Sequence, residues 1–138
     1  MSFMADHTSS IRPNFSEYQV IVAEDEPMAT KLAQGALKLM GFRRIFHAAD
    51  GLKALKLLKE LDGDVQLIVS DWNMPEINGL EFLRAVRKTY PKMRFVMLTG
   101  NANKDFVIAA RKYGVDAYIA KPFTPDQLKS KVEAIFKL

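Results

Sequence analysis

The chain reads as a doubly wound α/β domain, a five-stranded parallel sheet with five helices packed on its two faces. Three observations predict this. Short β-branched runs alternate with longer segments of helical period, five of each. The runs are apolar at consecutive positions, as strands covered on both faces require. The segments between them carry helix start and stop chemistry, which makes right-handed crossovers between parallel strands the natural connection.

Taken in order, residues 1–16 are polar and aperiodic, and are expected to form a flexible N-terminal arm ahead of one domain over 17–138. YQVIVAE predicts the first strand. Pro27 suits the first turn of the next helix, where a missing N–H costs nothing. Met28, Leu32, Ala36 and Leu39 or Met40 are expected on its buried stripe, up to a stop at Gly41. RRIFHAA predicts the second strand, and DGLKALKLLKELDG a helix with Leu52, Leu55, Leu58 and Leu61 inward. VQLIVS is a doubly buried strand, followed by the loop DWNMPEIN. GLEFLRAVRKTY predicts a helix closed by Pro91, MRFVML a strand, NKDFVIAARKYG a helix ending at Gly114, and DAYIA a short strand. TPDQLKSKVEAIFKL is the last helix, with Thr124 before Pro125 and Asp126 as a capped start.

Composition narrows the chemistry. A length of 138 residues fits one ordinary domain, and zero cysteines remove zinc ribbons, iron–sulfur clusters, disulfide frameworks and thiol nucleophiles together. The two histidines, His7 and His47, are far apart in sequence, which argues against histidine metal sites and Ser/His/Asp triads. No apolar run approaches 18 residues, and the start MSFMADHTSSIRPNF has neither a basic flank nor a continuous apolar stretch. A cytoplasmic protein without membrane insertion is therefore expected. Charge is asymmetric: residues 1–83 carry 8 Lys/Arg against 12 Asp/Glu, and residues 84–138 carry 12 against 4. The basic residues are scattered at helical spacing, so a solvated face is the simplest reading.

Ligands of open α/β sheets sit beyond the carboxyl ends of the strands. The residues there are Glu24, Asp25 and Glu26 after the first strand, Asp71 after the third, Thr99 after the fourth and Lys121 after the fifth. Crowded carboxylates repel unless a cation neutralises them. Oxygen ligands without His or Cys favour a hard ion such as Mg²⁺. The competing reading is that the triplet only caps the following helix, where acids suit the dipole. Asp71 is harder to explain in that way, since it ends a run as apolar as VQLIV. A phosphoryl group on Asp71 would be matched by the Lys121 ammonium, the Thr99 hydroxyl and a metal ion.

Four segments carry a family resemblance: VAEDEP, SDWNMPEINGLEFL, VMLTG and YIAKPFT. Together and in this order they resemble the receiver domains of two-component response regulators, most nearly the single-domain, chemotaxis-type members. The resemblance covers about residues 17–138 and implies the flavodoxin-like arrangement of the sheet. It implies Asp71 as phosphoacceptor, with Glu24, Asp25, Asp71 and the backbone carbonyl of Asn73 as the Mg²⁺ set. Thr99 and Tyr118 would be the switch pair, Lys121 the partner of the phosphoryl group, and Lys121–Pro122 a cis bond. Asn73 and Asn101 match positions that tune phosphoryl lifetime in the family. Glu24 stands where Asp is frequent, and Asn78 stands before Gly79 where many members have Asp. The implied phosphodonor is a sensor histidine kinase or histidine phosphotransfer protein. The implied output is an unknown protein meeting the face of the fourth helix, fifth strand and fifth helix.

Such a protein would be a phosphoacceptor acting only on itself, not a turnover enzyme. One alternative is a docking module of the same fold that is never phosphorylated. Another is an aspartate-based phosphatase, disfavoured by Asn73 where a second Asp would be wanted. No nucleic-acid recognition motif accompanies the receiver-like segments.

Overall fold

The computed structural model describes residues 14–100 and 104–136. Among them, five strands and five α-helices alternate: β1 Gln19–Ala23, α1 Pro27–Leu39, β2 Arg44–Ala48, α2 Gly51–Glu60, β3 Leu67–Asp71, α3 Gly79–Thr89, β4 Arg94–Thr99, α4 Lys104–Lys112, β5 Ala117–Ala120 and α5 Pro125–Ile135. All neighbouring strands pair in parallel, in the order β2-β1-β3-β4-β5. The doubly wound sheet expected from the sequence is the one observed. No helix among the described residues is long and apolar enough to cross a membrane.

Period-two alternation along the strands divides the interior into two cores. Val20, Val22, Leu67, Val69, Val96 and Leu98 face α1 and α5, meeting Ala33, Leu37, Leu128 and Val132. Ile21, Ile68, Phe95 and Met97 face the other way, toward Ala54, Leu58, Phe82, Val86 and Ala110. Both layers are therefore anchored on β1, β3 and β4, the strands that carry the acids and Thr99 to the rim.

The helices end as their stop residues dictate, with Gly41 at φ +108° and Gly114 at φ +84°. Their rotation about the axis differs from expectation in two cases. In α1 the buried side is Ala29, Thr30, Ala33, Ala36 and Leu37; of the expected stripe Ala36 is buried and Leu32 and Met40 pack half-buried on the core, while Met28 is 74% and Leu39 86% exposed. The small residues let α1 lie close to the sheet, so side-chain size was a poor guide to its inner face. In α2, Leu58 is buried, Leu55 and Leu61 are half-buried and Leu52 is exposed. Gly51 fixes that first turn, because a Cβ there would fall on Ile77.

The domain also begins earlier than residue 17. Phe15–Glu17 form a 3₁₀ turn, and Phe15 is buried, stacked on Phe42 at 4.3 Å and edge-on to Phe136 at 5.3 Å. Asn14 caps this turn by accepting from the Ser16 amide. The expected arm over 1–16 thus overlaps the packed domain at its end, and residues 1–13 lie outside the described residues.

Candidate phosphoacceptor site

Parallel register brings the candidate residues to one edge. Ala23 pairs with Ser70, Asp71 with Leu98, and Thr99 with Ala120, so Glu24, Asp71, Thr99 and Lys121 emerge side by side. Backbone bonds just past the ladder hold them there: Glu24 N donates to Ala48 O at 3.0 Å, Trp72 N to Leu98 O at 2.8 Å, and Lys121 N to Thr99 O at 2.7 Å. The bond between Lys121 and Pro122 is cis, as the resemblance implied.

The acidic triplet divides its labour. Glu26 is the N-cap of α1, its carboxylate accepting from the amides of Met28 at 2.6 Å and Ala29 at 3.0 Å. The capping reading of the triplet is therefore correct for Glu26. Glu24 turns inward and is fully buried, and Asp25 stays exposed. Oxygens of Glu24, Asp25 and Asp71 all lie within 4.8 Å of one another, an all-oxygen set matched to a hard cation.

Lys121 reaches into this cluster from the opposite side. Its Nζ donates to Glu24 Oε1 at 3.0 Å and to Asp71 Oδ1 at 3.3 Å. Burial raises the Asp71 carboxyl above the usual carboxylate range, although the charge and hydrogen bond of Lys121 act in the opposite direction. Glu24 is raised by the same cause, with the nearby Asp71 charge adding to it. Burial alone would lower Lys121, but its bond to Glu24 and the charge of Asp71 outweigh this and hold it above its ordinary value. One ammonium thus faces two buried carboxylates and a third at the edge. The site has room in its charge balance for a further cation.

Thr99 is fully buried at the end of β4, and its side chain is hydrogen-bonded with the Tyr118 hydroxyl; burial raises the Tyr118 phenol while that bond opposes the rise. Trp72, directly after Asp71, is buried, stacks on Phe106 at 4.6 Å with an interplanar angle of 4°, and meets Tyr118 edge-on at 6.4 Å. Asn73 occupies the exposed loop after β3, and Asn101 lies outside the described residues. Asn78 closes a capping box with Glu81, each accepting from the other's backbone amide at 2.8 Å. The Gly79 amide returns to Trp72 O at 2.7 Å, and a Cβ at Gly79 would fall 2.3 Å from Asp71 O. Helix α3 therefore hangs directly on the loop that follows Asp71.

Sequence reasoning missed two contacts. Phe106 lies in a helical segment far from Trp72 in sequence, and no local pattern marks the stacking that folding brings about. The separation of His47 from His7 argues against a histidine metal site but gives no hint that its Nε2 lies 2.7 Å from Glu24 O. The signal was its place at the end of β2, beside the strand that carries the acids.

The fold and this rim define a receiver domain, and comparison with known proteins agrees. The family model for the response regulator receiver domain matches residues 20–133, and the chain belongs to that family. It is 39% identical over 119 residues to a chemotaxis protein CheY homolog of Campylobacter jejuni, covering 85% of this chain and 91% of the relative. It is 34% identical to chemotaxis protein CheY1 of Helicobacter pylori, covering 85% of this chain and 95% of the relative. The structure of CheY4 of Vibrio cholerae superposes with a TM-score of 0.77 at 28% identity, covering 86% of this chain and 98% of that one.

Proposed function

We propose that this chain is a CheY-like response regulator that accepts a phosphoryl group on Asp71 with the help of Mg²⁺. The observation that carries the reading is the imbalance of charge at the rim, with Glu24 and Asp71 buried against the single ammonium of Lys121. In the transfer, an Asp71 carboxylate oxygen attacks phosphorus on a phosphohistidine. The O–P bond forms as the P–N bond breaks, and the imidazole leaves with the electron pair and takes up a proton. Glu24, Asp25, Asp71 and the Asn73 carbonyl would hold Mg²⁺, which would supply positive charge against the carboxylates and the phosphoryl oxygens. Lys121 neutralises a further phosphoryl oxygen, and the Thr99 hydroxyl donates to another. Asn73 and Asn101 set how long the phosphoryl group survives.

Output follows from the Thr99–Tyr118 bond. When Thr99 turns toward a phosphoryl group, its bond to Tyr118 is released and the ring is free to change rotamer. Tyr118 lines a cavity of about 370 Å³ with Val107 and Arg111 of α4 and Lys131 and Ile135 of α5. Arg111 of α4 and Lys131 of α5 are exposed and line this cavity, which suits an acidic protein partner, whereas Lys129 lies on the opposite side of α5, beside Leu39 and Met40. Moving such a switch from mostly off to mostly on takes about 5.5 kcal/mol of differential stabilisation. The phosphodonor is a sensor histidine kinase or histidine phosphotransfer protein, the role is chemotaxis-type signalling, and the location is cytoplasmic. The protein catalyses only its own phosphorylation and dephosphorylation and does not hydrolyse unrelated phosphate monoesters.

The test uses acetyl phosphate and MgCl₂, with Trp72 emission and hydroxylamine-sensitive phosphate incorporation as readouts. The wild-type chain should respond first to Mg²⁺ and then to the phosphodonor, and Asp71→Asn should abolish incorporation. Incorporation that survives in Asp71→Asn, or steady phosphate release from unrelated monoesters, would refute the reading.

A further inference from the structure

The two candidate metal ligands that follow β1, Glu24 and Asp25, are adjacent in sequence but differently held. Glu24 is fully buried and bonded to Lys121, with its Oε2 also accepting from Glu26 N at 3.1 Å. Asp25 is exposed, and among the described residues no hydrogen bond anchors its carboxylate. Where that carboxylate stands is therefore decided by the backbone that carries it. The peptide unit joining Glu24 to Asp25 presents the Glu24 carbonyl, which lies past the end of the ladder between β1 and β2. The ring of His47 takes up that oxygen, Nε2 to O, at 2.7 Å. A carbonyl only accepts, so Nε2 carries the proton. Thr30 Oγ1 lies farther from the same oxygen, 3.4 Å, and is closer to Glu26 O at 3.0 Å. His47 stands opposite Val22 in the parallel register, so its side chain reaches forward along β1 to make this contact.

We infer that His47 is a positioning residue: by clamping the peptide between Glu24 and Asp25, it sets the Asp25 carboxylate within ligating reach of Glu24 and Asp71. The inference rests on the proposed Mg²⁺ reading of those three acids. A free peptide at this turn can rotate, swinging Asp25 while leaving the buried Glu24 in place. The ring removes that freedom from outside the ligand set, as outer-shell hydrogen bonds commonly do in metal centres.

The experiment is a calorimetric titration with MgCl₂ of the full chain as wild type, His47→Ala and His47→Gln, with urea midpoints of the metal-free proteins alongside. The glutamine amide nitrogen sits as many bonds from Cα as Nε2 of the imidazole and donates in the same way. His47→Ala should weaken Mg²⁺ binding about tenfold, the range typical of lost outer-shell partners. His47→Gln should return the affinity close to that of the wild type. A His47→Ala variant that loses urea stability but binds Mg²⁺ within about twofold of wild type would overturn the inference, leaving His47 a purely structural residue. Failure of His47→Gln to rescue would also overturn it, because the donor would then not be what matters. A wild-type chain that takes up no Mg²⁺ would instead overturn the metal reading, and this inference with it.

Discussion

Replacing Lys121 with Met keeps most of the side-chain length and removes the charge. In the native site Nζ lies 3.0 Å from Glu24 and 3.3 Å from Asp71, with the lysine side chain 20% exposed and those of the acids 0% and 6%. At an effective dielectric of about 20, a charge pair at such distances attracts by roughly 5 kcal/mol. Desolvation offsets much of that attraction, and removing one partner from a buried pair costs about 3–5 kcal/mol. The partial exposure of the ammonium points to the lower end, so the expected loss is about 3 kcal/mol at alkaline pH without metal. The loss has a defined pH dependence. Burial already raises the Asp71 and Glu24 carboxyls, and without Lys121 they rise further. Acids with raised values in the folded state hold protons that the unfolded chain has released. Stability therefore falls as pH climbs through the folded values and recovers as pH drops back toward the ordinary carboxyl range. Urea denaturation of the metal-free Lys121→Met variant, followed by circular dichroism from mildly acid to alkaline pH, should show a deficit that shrinks in acid. An equal deficit at every pH would refute the electrostatic account and assign the loss to packing of the lysine stem. No deficit at all would show that the ammonium does not neutralise the pair.

Four further outcomes are expected. Gly79→Ala should cost about 2 kcal/mol or more, since its Cβ would meet Asp71 O at 2.3 Å, Met97 Sδ at 2.8 Å and Trp72 Cα at 2.9 Å. Gly35→Ala, mid-α1 with nothing within 4 Å, should instead gain about 0.5–1 kcal/mol, and thermal melts compare the two. Phe15→Ala should lower the urea midpoint by an amount worth about 3 kcal/mol, because the ring is buried against Phe42 and Phe136. Arg87→Lys should cost about 1–2 kcal/mol, since a lysine cannot replace the guanidinium bonds to Gly114 O, Met93 O and Asp116. Faster amide exchange in the connection between α4 and β5 would mark that loss.

Element type and order were legible because strand and helix periods are local properties of the chain. So was the rim: residues at the ends of YQVIVA, QLIVS, FVML and AYIA must lie together once those runs pair in parallel. Which side of a helix faces the sheet was only partly legible in α1: Ala36 is buried and Leu32 and Met40 pack on the core as expected, but Ala29 and Ala33 are buried where Met28 and Leu39 were expected. That choice depends on how closely two backbones approach, a relation between elements distant in sequence. The division of Glu24, Asp25 and Glu26 into a buried acid, an exposed acid and a helix cap arises in the same way. It depends on where Lys121, 97 residues beyond Glu24, and His47 arrive. The sequence by itself determined which chemical groups meet; the tertiary structure decided which of them are stripped of water and what each one touches, because burial and hydrogen bonding are properties of neighbours brought together by folding.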